Sequence, residues 1–384
     1  MTHAPELGYA LTVAALALAV YGCCVSAVGA ASGRLALRRS SERAAIGVFV
    51  LTTCCILLLV YAFLTFDFSI RYVASNTNRG TPFYYRITAL WGALEGSIIL
   101  WAWMLSVYTL IVVAQYRRRQ PEFYPWVLAV MLGIAAFFFL VMTIPAPPFA
   151  RLTPIPPDGR GLNPLLEDSG MITHPVALYL GFTGFTVPFA FAMAALIRGR
   201  TGDEWITITR RWTIIAWYFL SLGLLIGGWW SYHVLGWGGY WAWDPVENAA
   251  FMPWLTATAL LHSVMIQERR RMLKLWNLTL IILTFGLTLF GTFLTRSGSS
   301  DRSTPSARAR SASSSWPSSP SCCWARSACS RGASTACADR PSSTRRSRAS
   351  RPSCSTMCCS SPPPSPSSSA PSFRCCPKRC AASR

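Results

Sequence analysis

The chain has 384 residues and a formal net charge of +20, with 52% hydrophobic and only 13% charged residues. About a quarter of the residues of ordinary soluble domains are charged, so this composition excludes a typical water-soluble globule and favours a membrane protein. The averages combine two unlike segments, the body (residues 1–298) and the tail (residues 299–384). The body has a charge of +8, whereas the tail has +12 and contains 28 serines but no Leu, Ile, Val, Tyr or His. The positive charge therefore indicates no nucleic-acid-binding surface on the body.

Long apolar stretches recur along the body and are separated by short charged connections. An α-helix needs about 20 residues to cross about 30 Å of hydrocarbon, and each stretch is near that length. We therefore predict an all-α, polytopic integral membrane helix bundle with about eight transmembrane helices. The predicted spans are Leu7–Ala30, Ala44–Phe66, Ala93–Gln115, Tyr124–Ile144, Pro175–Ile197, Trp212–Trp230, Ala249–Gln267 and Leu275–Leu294.

Basic residues beside the spans predict the orientation of the bundle. One set of connections contains 15 of them, between Arg34 and Lys274, and the opposite set contains five, between Arg71 and Arg160. By the positive-inside rule the first set is cytoplasmic, and the N-terminus is outside. No basic region precedes the first span, so we expect it to stay in the mature protein and not to be cleaved as a signal peptide.

A dense aromatic cluster occupies the predicted outer loop, residues 231–248, and its flanks. Trp229, Trp230, Trp237, Trp241 and Trp243 fall within 15 residues, with glycines between them. Tryptophan collects where helices leave the bilayer, but such a belt explains only one or two rings per helix end. Glycines let the backbone approach a ligand closely, and exposed aromatic patches mark binding sites. We therefore favour a platform for a large, flat, apolar ligand over an interfacial belt.

The histidines suggest which flat ligand this platform holds. His174 is predicted at the outer end of the fifth span, on the side of the aromatic loop, where an imidazole could ligate haem iron. On spacing alone, an interfacial histidine bonded to water is an equal alternative. His262 is predicted inside the seventh span, where an ionisable side chain is costly, so a haem ligand or a proton relay is favoured. For His233, inside the aromatic loop, a hydrogen-bonding role and a role as a ligand are equal alternatives.

Two adjacent motifs in the aromatic cluster point to a known family. Residues 237–244, WGGYWAWD, are similar to the WWD signature of haem-handling membrane proteins. Their continuation, PVENAAFMPW at 245–254, resembles the CcmF family, the haem lyase subunit of bacterial cytochrome c maturation. The resemblance covers nearly all of the body, which we predict to be one transmembrane haem-handling domain. Further segments that agree, in the order of the family, are residues 91–97, 170–175 and 291–298.

The resemblance implies two haem sites. A transient haem at the outer face would have His174 as one axial ligand, and a permanent b-type haem between transmembrane helices would have His262 as one ligand. The resemblance assigns Trp237, Trp241, Trp243 and Asp244 to the outer platform, and we add Trp229 and Trp230 from the aromatic cluster.

The resemblance also implies a function in cytochrome c biogenesis in the inner (plasma) membrane of a bacterial cell. Haem would come from the haem chaperone CcmE and would be joined to apocytochrome c at the periplasmic face. Other maturation subunits such as CcmH are implied partners beside membrane lipid, and no nucleic acid is expected. The implied activity is that of a haem lyase (cytochrome c synthetase) subunit, and no catalytic residue is assigned.

The tail, residues 299–384, lacks the apolar periodicity of the body and mixes Ser, Arg, Pro and Cys. It contains ten of the 14 cysteines, without a spacing typical of a metal site. We predict a disordered, low-complexity segment that results from out-of-frame reading of a GC-rich gene, with a functional disordered tail as the alternative. Sequencing the gene around codons 297–300 tests this. Members of the CcmF family continue beyond this point with further haem-ligating histidines. The resemblance therefore implies that the chain contains only part of such a protein, and that its catalytic activity is doubtful.

Two other functions remain open. One is a WWD-type haem transporter or delivery protein, which loads a chaperone without joining haem to a cytochrome. The Pro-Val-Glu-Asn continuation and the number of spans before the aromatic loop favour the lyase family over it. The other is a polytopic transporter without haem, in which the aromatic loop is an interfacial belt. A Soret absorption spectrum of the purified protein distinguishes it from the two haem-binding functions.

Overall fold

The structure is a computed structural model that describes residues 3–200, 202, 204–234, 238–270 and 272–296, with side chains up to residue 294. Within these residues the regular structure is helical, apart from one β-bridge between Ile70 and Arg151. Eight helical segments are long and apolar enough to cross a membrane. The predicted all-α, multi-pass membrane bundle is therefore confirmed. The predicted disordered tail and the predicted site residue Trp237 lie outside the described residues.

The described residues form eleven α-helices, of which α3 and α4 are short and the others belong to the eight spans. α7 and α8 together make one span, Gly170–Ile197, with the turn residue Phe185 between them. The helices are α1 (Ala4–Ser32), α2 (Leu35–Leu64), α3 (Arg71–Asn76), α4 (Phe83–Thr88), α5 (Leu94–Tyr116), α6 (Tyr124–Thr143), α7 (Gly170–Gly184), α8 (Thr186–Ile197), α9 (Glu204–Val234), α10 (Pro245–Arg270) and α11 (Lys274–Arg296).

All eight predicted spans overlap an observed helix, but several helices extend beyond the predicted ends. α9 begins at Glu204, whereas the predicted span begins at Trp212. α7 begins at Gly170, five residues before the predicted start at Pro175. The prediction followed the apolar run, while helical hydrogen bonding continues into the polar interface. Pro175 is the sixth residue of α7 and has no N–H to donate to the Met171 carbonyl; that carbonyl instead accepts a hydrogen bond from Trp91 Nε1–H at 2.8 Å.

The bundle has a buried centre and a lipid-facing ring. α5 and the span formed by α7 and α8 are the most buried of the eight, and α1 and α9 the least. α1 packs on α2 and α6, α7 packs on α9, and α10 packs between α9 and α11. Phe139, Phe185 and Phe191 are among the large side chains that are fully buried. These contacts bring the N-terminal part of α7 to the C-terminal part of α9 and the start of α10.

Glycines allow α7 and α9 to pack closely. The spacing Gly223-x3-Gly227 predicts a close helix contact within the bundle. A Cβ atom on Gly223 would lie 2.6 Å from Leu178 Cδ2, and one on Gly227 would lie 2.4 Å from His174 Cε1. Such distances leave no room for a side chain, so the predicted contact is confirmed. The two glycines thereby set how near α9 comes to His174.

The two sides of the bundle differ in composition. The arginine side contains the described residues 33–34, 117–123, 198–200 and 272–273 of its connections. Here Glu122 pairs with Arg198 at 3.0 Å and also with Arg200. The other side, the tryptophan side, contains residues 65–93, 144–169 and 238–244. The distribution of arginine follows the pattern from which the orientation was predicted, and the orientation itself stays a prediction.

Two connections on the tryptophan side join into one layer. Residues 67–92 and 145–169 exchange backbone hydrogen bonds, including Arg71 N–H to Ala150 O and Arg160 N–H to Ala74 O, both at 2.8 Å. The proline-rich segment 145–169 contains no α-helix, as its composition predicts, and only a short 3₁₀ turn at Pro164–Leu166. Trp91 attaches this layer to the bundle, since its Nε1–H donates to the Met171 carbonyl at 2.8 Å.

Candidate functional site

Two adjoining cavities lie on the tryptophan side, where α7, α9 and α10 meet. The inner cavity has a volume of about 320 Å³ and is walled partly by Trp101, Phe138 and Phe182 of the spans. The outer cavity has a volume of about 250 Å³ and is walled partly by residues at the start of α10. The two cavities share the lining residues Leu166, His174, Leu178, Trp230, Val246 and Ala250. His174 is the one histidine in either lining.

α9 fixes the orientation of the His174 ring. Nδ1 of His174 lies 2.8 Å from the carbonyl oxygen of Gly223. A carbonyl only accepts, so Nδ1 donates its hydrogen, and Nε2 of the neutral ring keeps its lone pair. The ring also packs against Gly227, and its centroid lies 5.6 Å from that of Trp230. A histidine held at one nitrogen by a backbone carbonyl is typical of metal-ligating imidazoles.

Two indole N–H groups at the outer cavity have no acceptor in the described part of the chain. Trp230 and Trp241 both line the cavity, and the Nε1 of each is buried without a hydrogen-bond partner among the described residues. Leaving a buried donor unsatisfied costs about 1–3 kcal/mol. Two such donors in one cavity could each donate to a ligand that carries acceptor oxygens. Both tryptophans belong to the set predicted from the sequence.

The other predicted tryptophans of the platform have different environments. Trp243 is 68% exposed, and its φ of 59° is rare for a bulky residue. Its ring meets that of Trp241 edge-on, with centroids 5.9 Å apart. Trp229 is 53% exposed and contacts the His233 ring, with 4.4 Å between centroids, but it lines neither cavity. The structure thus places Trp230 and Trp241 in the cavity with His174, whereas Trp243, packed beside Trp241, and Trp229 line neither cavity.

Asp244 holds the start of α10. Its Oδ1 accepts a hydrogen bond from the Glu247 N–H at 2.7 Å, while Glu247 Oε2 accepts from the Ala242 N–H at 2.8 Å. Asp244 thereby satisfies a free N–H of the first helical turn as an N-cap residue, and Glu247 reaches back past it to Ala242 in a variant of the capping box. Both carboxylates also line the outer cavity. Asp244, predicted as part of the haem platform, therefore has a structural role that positions Trp241 and Trp243.

Two residues at this site were missed by sequence reasoning, Glu247 and Asp168. The pattern Asp244-Pro-Val-Glu247 is itself a sequence signal for a capped helix start, with proline at the first helical position. Asp168 Oδ1 accepts from the Gly170 N–H at 2.7 Å and so caps the helix that contains His174. Asp168 Oδ2 also lies 3.4 Å from His233 Nε2. His233 thereby links the end of α9 to the start of α7.

His262 lies apart from His174. It is on α10, nearer the arginine-side end of the helix, as predicted. The side chain is exposed, and its Nδ1 lies 2.8 Å from the Thr258 carbonyl oxygen. It lines neither of the two cavities. The structure therefore does not bring the two predicted haem ligands together, and both ligands stay predictions.

The chemistry of the outer cavity suits a particular kind of ligand. A neutral imidazole with a free Nε2 can bind a metal, and two unsatisfied indole N–H groups can bind carboxylate oxygens. The shared walls are mostly apolar, with Leu178, Val246 and Ala250. A flat apolar ring that contains a metal and has acidic side groups matches all three properties, and haem is such a molecule. Among the described residues, no group of three or more His, Cys, Asp or Glu side chains forms a metal site.

These features define a multi-pass membrane helix bundle with an aromatic, histidine-containing cavity at one end. Residues 91–300 match the model of the family described as cytochrome C assembly protein. That range contains every helix from α5 to α11 and the residues of both cavities.

Individual relatives are more specific. The cytochrome c-type biogenesis protein CcmF of Pseudomonas aeruginosa is 48% identical over 296 residues, which are 77% of this chain and 45% of that protein. The Escherichia coli K12 protein of the same name is 45% identical over 295 residues, with 77% and 46% covered. A solved structure of the cytochrome c heme lyase CcmF superposes with a TM-score of 0.67 at 41% identity, covering 77% of this chain and 47% of that one.

The chain belongs to the CcmF family of cytochrome c assembly proteins. The resemblance drawn from its motifs is thereby confirmed. The chain spans about half the length of the curated relatives it matches.

Proposed function

We propose that this chain is a haem-binding membrane component of cytochrome c biogenesis that holds haem at the outer cavity while haem is joined to apocytochrome c. One observation carries the proposal. His174, with Nδ1 bound to the Gly223 carbonyl and Nε2 free, stands in the same cavity as the unsatisfied N–H groups of Trp230 and Trp241. The cavity therefore offers an iron ligand and two acceptor-seeking donors together.

Each side chain has a defined part in this proposal. His174 Nε2 would bind the iron, and the Gly223 carbonyl would keep the imidazole from rotating away. Trp230 and Trp241 would donate their N–H groups to the carboxylates of the ligand, while the exposed Trp243 would cover a ring face. Haem, when bound, supplies the vinyl groups and the iron redox chemistry of the reaction. The chain itself contributes position and an apolar, water-poor setting.

We propose His262 as the ligand of a second, b-type haem. The supporting observation is an exposed imidazole within a predicted span, with only its Nδ1 hydrogen-bonded. An ionisable group that faces hydrocarbon is costly, so a partner is expected against this face of α10.

The proposed partners and location follow from the family. Haem would be received from the haem chaperone CcmE, apocytochrome c would be the acceptor, and CcmH would be a neighbouring subunit. The predicted location is the bacterial inner membrane, with the tryptophan side in the periplasm. The arginines of the opposite side support this orientation by the positive-inside rule.

Haem spectroscopy on the full chain tests the proposal. The chain is purified in detergent, loaded with haem, and its Soret absorbance is compared with that of His174→Ala, His262→Ala and, as the control, His3→Ala. We expect His174→Ala to lose the weakly held haem, His262→Ala the tightly held haem, and His3→Ala neither. Unchanged spectra in the first two would reject both ligands.

Measuring how much haem becomes covalently joined to apocytochrome c separates the proposed function from its alternatives. Haem bound by the chain but never joined to apocytochrome c in the presence of its partners would favour a delivery protein. Absence of any Soret band would favour a transporter without haem.

A further inference from the structure

A polar cleft lies on the arginine side, at the opposite end of the bundle from both cavities. Its volume is about 390 Å³, and it is formed where the start of α2 meets the end of α5 and the start of α6. Four arginines face a single glutamate in this cleft. None of its residues belongs to the linings of the cavities around His174. The polar residues of the cleft are Arg38, Arg39, Glu42, Arg117, Arg118 and Tyr124.

Two of the four arginines are occupied by the protein itself. Arg38 donates from Nε to the Gly29 carbonyl at 3.4 Å and from Nη1 to the Pro121 carbonyl at 3.3 Å. Arg117 Nη1 lies 3.9 Å from Glu42 Oε2. These contacts join the end of α1, the start of α2 and the turn before α6. The geometry of the cleft is therefore fixed by the protein before any ligand arrives.

The other two arginines have no counter-charge. Arg39 and Arg118 are exposed, and in the described part of the chain neither makes a hydrogen bond or an ion pair. Two unpaired guanidinium groups in one cleft attract an anion, and the planar fork of arginine suits phosphate oxygens.

Tyr124 forms the inner wall of the cleft. It is 2% exposed, and its hydroxyl interacts with the Glu42 side chain, which also pairs with Arg117. Glu42 is thereby engaged by groups of the protein itself. The charges left over in the cleft are those of Arg39 and Arg118.

We propose that this cleft binds the phosphate group of an anionic phospholipid. Arg39 and Arg118 bind the phosphate oxygens, while Glu42, held between Arg117 and Tyr124, keeps the inner wall of the cleft in place. The cleft lies at the ends of three spans, α2, α5 and α6, and therefore at the level of the lipid headgroups. Leu35, which also lines it, is 65% exposed and offers an apolar border for the acyl part of a lipid. A free phosphate ion would make no use of that border.

Lipid retention by the full chain tests the proposal. The protein in nonionic detergent is mixed with dioleoylphosphatidylglycerol or dioleoylphosphatidylcholine, and bound lipid is counted by native mass spectrometry. The test variant is Arg39→Gln with Arg118→Gln. The matched control is Arg269→Gln with Arg270→Gln, which removes two exposed arginines from the same side but outside the cleft. Far-ultraviolet circular dichroism checks that both variants keep their helices.

We expect the native chain to retain phosphatidylglycerol in preference to phosphatidylcholine. An arginine near an anionic surface contributes about 1 kcal/mol, so losing two should weaken phosphatidylglycerol retention roughly tenfold or more, with little change in the control. Equal retention by the cleft variant, or an equal loss in the control, would overturn the proposal. In the last part of the experiment, inorganic phosphate at millimolar concentration is added to compete with the bound lipid. If it displaces phosphatidylglycerol and raises the unfolding temperature as much as the lipid does, the cleft is a phosphate site and the lipid assignment is wrong.

Discussion

Gly227 gives the sharpest test of how α9 positions His174. In Gly227→Ala the new Cβ would lie 2.4 Å from His174 Cε1 and 2.6 Å from Nδ1, so the imidazole must move. That movement breaks the 2.8 Å hydrogen bond to the Gly223 carbonyl. Overpacking costs about 1–3 kcal/mol and the hydrogen bond about 1 kcal/mol, while alanine returns up to about 1 kcal/mol of helix propensity. The net expectation is a destabilisation of about 1–3 kcal/mol and at least tenfold weaker haem retention.

A matched glycine makes this experiment decisive. Gly286 lies in α11, and a Cβ there would meet nothing within 4 Å. Gly286→Ala should therefore be neutral or slightly stabilising by helix propensity alone. Thermal unfolding in detergent and titration with haem, followed by the Soret band, are measured on both variants. If Gly227→Ala bound haem like the native chain and unfolded at the same temperature as Gly286→Ala, the idea that α9 packing holds His174 would be refuted.

Three further changes probe the same site. Trp230→Phe removes an unsatisfied indole N–H. Haem retention should fall about tenfold, while the unfolding temperature of the haem-free chain changes little. Unchanged retention would contradict a hydrogen bond from that N–H to the ligand. Asp168→Ala removes the hydrogen bond that caps α7 and the contact with His233. Thermal melts should show a free energy of unfolding lower by about 1 kcal/mol. Asp168→Asn should keep most of the cap and serves as the control. Glu247→Ala leaves the Ala242 N–H without its acceptor and should speed hydrogen exchange there, with Glu247→Gln as the control that retains an acceptor.

The spans were predictable because membrane insertion imposes a simple rule on the sequence. Each of the eight needed about 20 apolar residues, and each occurs as a helix in the structure. The helix ends were less predictable. α9 extends to Glu204 and α7 to Gly170, because backbone hydrogen bonding and caps such as Asp168 govern the ends, not hydropathy.

The candidate site was predictable in composition but not in geometry. The motifs predicted that Trp241 and His174 share a site, and both line the outer cavity, yet they did not distinguish Asp244 as a helix cap from a ligand-contacting residue. The contact of His174 with α9 depends on the register between two helices about 50 residues apart in sequence. Glycine spacing hinted at that contact without giving its partner.

The arginine-side cleft shows a different limit. Arg39 and Arg118 served in the sequence only as topology signals, because they are distant along the chain. Packing of α2 against α5 and of α5 against α6 brings them to one cleft. No local pattern in either segment contains that information.

The layer on the tryptophan side also constrains how the protein is assembled in the membrane. Residues 67–92 and 145–169 can exchange their backbone hydrogen bonds only if both lie on the same side of the bilayer. The two helices between them, α5 and α6, must therefore insert as a complete hairpin before the layer can close. The Trp91 bond to Met171 then joins the start of α7 to a segment synthesised 80 residues earlier. His174 thus reaches its place only in chains whose first five spans have threaded the bilayer correctly, which links a ligand position to correct membrane topology.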